Sequence, residues 1–294
     1  MKTILDFIGN TPLVEVEENI FAKLEGFNPG GSIKDRIALN MILEAEKQGI
    51  LKKGDTIVEP TSGNTGVALA MVGAMRGYKV SLIMPQTTSP EKIKMVKAFG
   101  GEIILVENIR FRKDVIEDIK ERIKHGEQIV FLNQYENLMN PMAHYKITVQ
   151  EILKQTKGKR IDYFIAGMGT GGTITGIGKK LKEKNHNLKI IGVQPVFGQI
   201  IEGLRSLKEG FVPPILNLEI IDEIYDLETE KAESTRKELA LNKGLLVGPS
   251  SGAVYYVARE IKKNNPGKNI VTIFPDRGER YLYYWFNLIY LKHD

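Results

Sequence analysis

Along the chain, short runs rich in valine and isoleucine alternate with longer stretches in which apolar residues recur at helical spacing. Residues 56–59 read as a strand before a helical run from Gly66, 79–84 as a strand before helix 91–99, and 102–106 as a strand before helix 114–124. The pattern resumes with strand 162–166, a helix from Thr173, strand 189–193, helices near 229–241 and 252–263, and strand 269–274. Such alternation predicts an α/β architecture, with mostly parallel strands covered by helices on both faces. Ligands in open α/β sheets sit beyond the carboxyl ends of the strands, so function is sought in the strand-to-helix turns.

Three of those turns are rich in glycine and hydroxyl residues: Pro60-Thr61-Ser62-Gly63-Asn64-Thr65-Gly66, Gly167-Met168-Gly169-Thr170-Gly171-Gly172-Thr173, and Gly248-Pro249-Ser250-Ser251-Gly252. Glycine permits close backbone approach. The helix that follows contributes unpaired N–H groups and the positive end of its dipole, a combination suited to phosphate or carboxylate. A tight turn can need glycine for its own sake, but three such loops in one chain point to anion binding. The second loop also fits G-x-G-x-x-G through Gly167, Gly169 and Gly172, which raises a dinucleotide-dependent dehydrogenase as a rival. That rival needs an acid at the end of the next strand, where this chain has Gln194.

A fourth segment is Asn28-Pro29-Gly30-Gly31-Ser32-Ile33-Lys34-Asp35-Arg36. Ser32 and Asp35 have the spacing of a capping box, predicting a helix from about Ile33 with Lys34 in its first turn. The dipole there disfavours an ammonium and favours the neutral amine, the form that attacks an aldehyde to give a Schiff base. The bland alternative is a solvated lysine that follows a cap.

Composition narrows the field. The 294 residues exceed one ordinary hydrophobic core, and 42% apolar with 26% charged content is usual for globular proteins. The formal charge is +5, but basic and acidic residues interleave, as at 112–125, so no nucleic-acid partner is expected. Without cysteine there are no disulfides or thiolate metal sites, and His125, His144, His186 and His293 lack metal-ligand spacing. Asp6 and Pro12 interrupt the apolar core that a signal peptide would need, and no stretch is apolar enough to span a bilayer; the expectation is a cytoplasmic protein without a membrane partner.

Taken together, these segments resemble the signature set of the cysteine synthase and cystathionine β-synthase family, fold type II enzymes dependent on pyridoxal 5'-phosphate. The likeness begins at Ile8-Gly9-Asn10-Thr11-Pro12-Leu13 and Lys23-Leu24-Glu25. It continues through 28–36, 59–66, Asn133-Gln134-Tyr135-Glu136-Asn137, Ala143-His144-Tyr145 and 167–173, and ends at Pro275-Asp276-Arg277-Gly278-Glu279-Arg280-Tyr281. The resemblance implies two three-layer α/β domains with mostly parallel sheets and the cofactor in the cleft between them, residues 33–138 forming one and 1–32 with 139–294 the other.

Position by position, the resemblance makes Lys34 the catalytic lysine in Schiff-base linkage to the cofactor and Asn64 the partner of its phenolic oxygen. Gly169, Thr170, Gly171, Gly172 and Thr173 become the phosphate cradle. Thr61, Ser62, Asn64 and Thr65, with Gln134, grip the substrate carboxylate. The implied reaction removes the Cα proton, expels the β-substituent to leave an aminoacrylate, and adds sulfide or another thiol. Conversion of O-acetyl-L-serine and sulfide to L-cysteine leads, and the alternatives are cysteine-consuming chemistry that releases hydrogen sulfide, or cystathionine β-synthase chemistry. A homodimer and a serine acetyltransferase partner are further family expectations. A non-catalytic relative that binds the cofactor as a scaffold is the remaining rival.

Four departures bear on this. Arg277 replaces the serine that commonly faces the pyridine nitrogen; it is expected to turn away, with Ser250 as the ring partner ahead of Asp276. The segment 201–213 is bulkier and more charged than usual, and Glu202, with Asp222 and Asp226, either reaches the site or forms a solvated surface. The other two, at 108–113 and at Val149-Gln150 in place of Gly-Pro, carry no chemical reading from sequence.

Overall fold

A computed structural model of the protein describes residues 1–107 and 113–283; His293 and, except for Lys113, the departure at 108–113 lie outside them. In chain order the strands are β1 (Leu13–Glu17), β2 (Ile20–Leu24), β3 (Thr56–Pro60), β4 (Lys79–Pro85), β5 (Glu102–Val106), β6 (Ile129–Phe131), β7 (Tyr163–Gly167), β8 (Lys189–Pro195), β9 (Glu223–Leu227) and β10 (Ile270–Phe274). The helices are α1 (Lys34–Lys47), α2 (Asn64–Arg76), α3 (Pro90–Ala98), α4 (Lys113–Lys124), α5 (Met139–Ala143), α6 (Val149–Gln155), α7 (Gly172–Lys184), α8 (Thr229–Lys243) and α9 (Pro249–Asn264). A π-helical turn, His144–Thr148, joins α5 to α6. It makes one continuous helical rod in which Val149 packs into the core and Gln150 faces solvent, which is where the unusual Val-Gln pair falls.

The strands form two sheets. One runs β5-β4-β3-β6, parallel throughout; the other runs β1-β2-β10-β7-β8-β9, parallel except for the β1–β2 hairpin. Both are covered on two faces, as the continuous apolar runs predict. In the smaller sheet, Ile57, Leu82 and Met84 pack against α1 and α2, while Val58 and Ile83 meet Ile119 of α4 on the opposite face. In the larger, Ile20, Ile165, Ile191 and Phe274 pack under α8 and α9, whereas Phe21, Phe164, Ile190 and Val271 pack under α6 and α7. Adjacent residues such as Phe164 and Ile165 thus enter different cores, the period-two geometry of a strand.

The α/β class and the alternating elements agree with the sequence pattern. Four strands were not visible in it: the β1–β2 hairpin, the three-residue β6 and the edge strand β9. The hairpin turns through Asn19 at φ +62°, a left-handed residue without the glycine signal that marks most tight turns. The expected capping box does not form. The helix begins at Lys34 after Ile33, with the Lys34 N–H on Ser32 Oγ at 3.2 Å, and the Asp35 carboxylate reaches back to the Gly30 N–H at 2.6 Å.

Candidate active site

The carboxyl ends of strands from both sheets converge on a cleft of about 640 Å³, lined by Lys34, Thr61, Asn64, Thr65, Gln134, Gly169, Thr170 and others. The N-termini of α1, α2, α7 and α9 open here, concentrating unpaired N–H groups and positive dipole ends in one space. An anion is therefore favoured in the cleft, and a cation is disfavoured.

Lys34 stands on the floor. Desolvation pushes its amine down to about 8, although Asp276 opposes the shift. The loop before it is anchored by a buried ionic network. Arg36 donates to Glu25 at 2.6 Å and to Glu151 at 2.7 Å, Lys23 pairs with Glu151 at 2.7 Å, and Asn28 donates to Glu25 at 2.8 Å. Each buried charge has a partner, so the chain from Asn28 to Lys34 is held from several directions.

Beside Lys34, Asn64 is fixed at both ends of its amide: Nδ2 donates to Asp276 Oδ2 at 2.6 Å, and Oδ1 accepts from Arg280 at 2.6 Å. Tyr281 also donates to Asp276 Oδ2, and burial drives the Tyr281 phenol well above its ordinary range. Thr65 donates to Gln134 Oε1 at 2.6 Å. Glu59, at the end of β3, accepts the N–H groups of Asn133 and Gln134 at 2.9 and 3.0 Å. Burial raises Glu59 to about 8, against the pull of those two donors. It acts as a clamp on the turn that carries Gln134, where Asn133 takes φ +51°.

The glycine loop is built without room for side chains. A Cβ on Gly169 would stand 2.6 Å from the Gly203 carbonyl oxygen, one on Gly172 would stand 2.0 Å from Asn140 Oδ1, and Gly171 has φ +86°. Thr173 Oγ1 lies 3.4 Å from His144 Nε2, a fully buried ring that desolvation keeps well below its usual pKa and hence neutral. A backbone cradle at a helix N-terminus, with hydroxyls and a desolvated amine across the cleft, fits a phosphorylated aldehyde.

Ser250 is buried at the start of α9, its Oγ 3.6 Å from the position a Gly203 Cβ would take, next to the lining residues Gly203 and Pro249. Arg277 is exposed and packs its stem against Gly26, away from the cleft. Of the three acids singled out in the sequence, only Glu202 lines the cleft, where it pairs with the buried Lys92 of α3. Asp222 and Asp226 do not. Burial would raise both, but Lys182, the Ile190 N–H and Lys189 hold Asp222 low, and Lys208 and Gln194 hold Asp226 low.

Sequence reading missed Glu59, Lys92 and Asn140. Lys92 shares a helical face with buried Val96 and sits 4.3 Å over the Tyr281 ring; a lysine on an apolar stripe is the one signal that could have marked it. Among the described residues no helix is long and apolar enough to cross a membrane, and no cluster of acids and histidines is arranged to hold a metal.

The sequence pattern of pyridoxal-phosphate dependent enzymes matches residues 4–276. The chain is 45% identical over 297 residues to a cysteine synthase of Aquifex aeolicus, covering 96% of this chain and 90% of that one. It is 43% identical over 292 residues to cysteine synthase B of Salmonella typhimurium, covering 96% and 95%. Among solved structures it is similar to a hydrogen sulfide-producing enzyme from Fusobacterium nucleatum, with TM-score 0.89, 39% identity and coverage of 96% and 99%. It is also similar to an O-ureido-L-serine synthase, with TM-score 0.88, 38% identity and coverage of 96% and 93%.

Proposed function

Since this chain belongs to the pyridoxal-phosphate dependent enzyme family, we propose that it is a cysteine synthase joining sulfide to the β-carbon of O-acetyl-L-serine with loss of acetate. The observation that carries this reading is the Lys34 amine, desolvated to a pKa of about 8 between a glycine cradle and a hydroxyl-rich loop. Pyridoxal phosphate, when bound, supplies an electron sink. The chain's own residues do the rest. Lys34 would hold the cofactor's aldehyde carbon until the substrate amine takes its place, and the freed lysine, as the neutral amine, would then accept the proton from the substrate Cα. Gly169, Thr170, Gly171, Gly172 and Thr173 would grip the phosphate, and Asn64, whose Nδ2 has one proton beyond that given to Asp276, would meet the phenolic oxygen. Thr61, Ser62, Asn64, Thr65 and Gln134 would orient the substrate carboxylate, and Ser250 would serve the pyridine nitrogen.

Residues 33–138 would form the substrate-loop unit, and 1–32 with 139–294 the phosphate-loop unit. A cytoplasmic homodimer able to dock a serine acetyltransferase accompanies this reading. A second reading, release of hydrogen sulfide from cysteine, is favoured by one observation: Glu202 lines the cleft, where it could activate water or a polar nucleophile. Steady-state kinetics separate the two. The expected result is a higher kcat/KM for O-acetylserine with sulfide than for cysteine with sulfide release. The reverse ratio, abolished by Glu202→Gln, would establish the second reading.

A further inference from the structure

We infer that Asn140 is a positioning residue that couples the two anion loops, so that an occupant of one strengthens binding at the other; this rests on the loop assignments just proposed. Asn140, the second residue of α5, is 1% exposed. Its Nδ2 donates one proton to the Gln134 carbonyl at 2.8 Å and the other to Thr170 Oγ1 at 3.1 Å. At the first end, Gln134 receives the Thr65 hydroxyl, and its backbone is clamped by Glu59. At the second, Thr170 lines the cleft within the glycine loop.

The direction of these bonds matters. Because the Asn140 amide occupies a lone pair of Thr170 Oγ1, the hydroxyl proton is left to point at an acceptor in the cleft. The same amide fixes the peptide that carries Gln134. Asn140 Oδ1 has no hydrogen-bond partner among the described residues and fills the space beside Gly172, where a Cβ would lie 2.0 Å away. A shift of the α7 N-terminus around a phosphate must therefore move Asn140, and with it the Gln134 turn. Buried hydrogen bonds in a low-dielectric setting are strong and polarise one another, so part of such a shift reaches the far loop, and the coupling is reciprocal.

The test follows release of pyridoxal phosphate from the holoenzyme by its visible absorbance, with and without saturating L-alanine, which has the amine and carboxylate but no β-leaving group. In the wild type, L-alanine is expected to slow release on the order of fivefold or more. Asn140→Ala is expected to speed basal release, weaken L-alanine binding about two- to tenfold and abolish the slowing. Thr170→Val cuts only the phosphate-loop end of the bridge, and is expected to weaken L-alanine binding as well, although Thr170 belongs to the other loop. Melting curves by circular dichroism confirm that each variant is folded. Unchanged L-alanine affinity in Thr170→Val, or slowing that persists in Asn140→Ala, overturns the coupling. An error in the loop assignment shows separately, as loss of cofactor with intact L-alanine affinity in Ser62→Ala.

Discussion

The Lys34 amine is desolvated, and among the described residues only Asp276 favours its proton, so it is neutral at far lower pH than a solvated lysine of pKa 10.5. Capture of pyridoxal phosphate by the apoprotein should therefore accelerate as pH rises and level off above about 8. Asp276→Asn should move that midpoint lower, because the one group that raises it is gone. Stopped-flow absorbance measures both, and a wild-type midpoint near 10.5 would refute the desolvated amine. Single residues were legible in sequence where chemistry left a local mark, as at Lys34 and the hydroxyls of the 61–65 loop. Glu59 and Asn140 left none. An acid ending a strand and an asparagine before a proline acquire their roles only when distant turns are brought onto them, and the fate of Glu202, which pairs with Lys92 in the cleft while Asp222 and Asp226 pair with lysines outside it, is likewise decided by packing.

Helix α7 shows how an element carries chemistry through its seating. Its N-terminus forms the end of the glycine loop, and its second turn rests on α5, where a Cβ on Gly176 would stand 2.2 Å from the Pro141 carbonyl oxygen and 2.9 Å from His144 Cβ. Gly176→Ala should therefore overpack the contact and cost about 1–3 kcal/mol in denaturant unfolding. It should also weaken cofactor retention more than amino-acid binding, since the displaced element bears the phosphate loop. Equal losses at both would mean that the helix moves as one body with the substrate loop. Elements of this kind were legible because their apolar positions repeat over many residues. β6 offers three residues and β9 is an edge strand with exposed Glu223 and Ile224, so neither has the length or burial that makes a strand stand out in sequence.

Across the whole molecule, a half-buried and a buried carboxyl pull stability in opposite directions as pH changes. Burial alone would raise Glu151, but Arg36 and Lys23 hold it at about 2; its contribution is complete above the unfolded value of 4.5 and is lost as pH falls toward 2. Glu59 is raised to about 8, so the folded chain keeps a proton that the unfolded chain has released, and stability falls as pH rises from 4.5 through 8. Relative to wild type, Glu151→Gln should flatten the acid limb of an unfolding-free-energy profile, and Glu59→Gln should flatten the limb between 4.5 and 8. A slope unchanged by Glu59→Gln would show that its carboxyl is already ionised in the native state. The same molecule joins its two ends in one sheet, β2 pairing in parallel with β10 through Ile20 to Leu24 against Ile270 to Phe274. During synthesis the strands of the smaller sheet, all within residues 56–131, emerge together and can assemble early. The first hairpin must wait on the ribosome for a strand about 250 residues later, at the cost of a large loop closure, and until then its apolar edge is a surface for chaperones to cover.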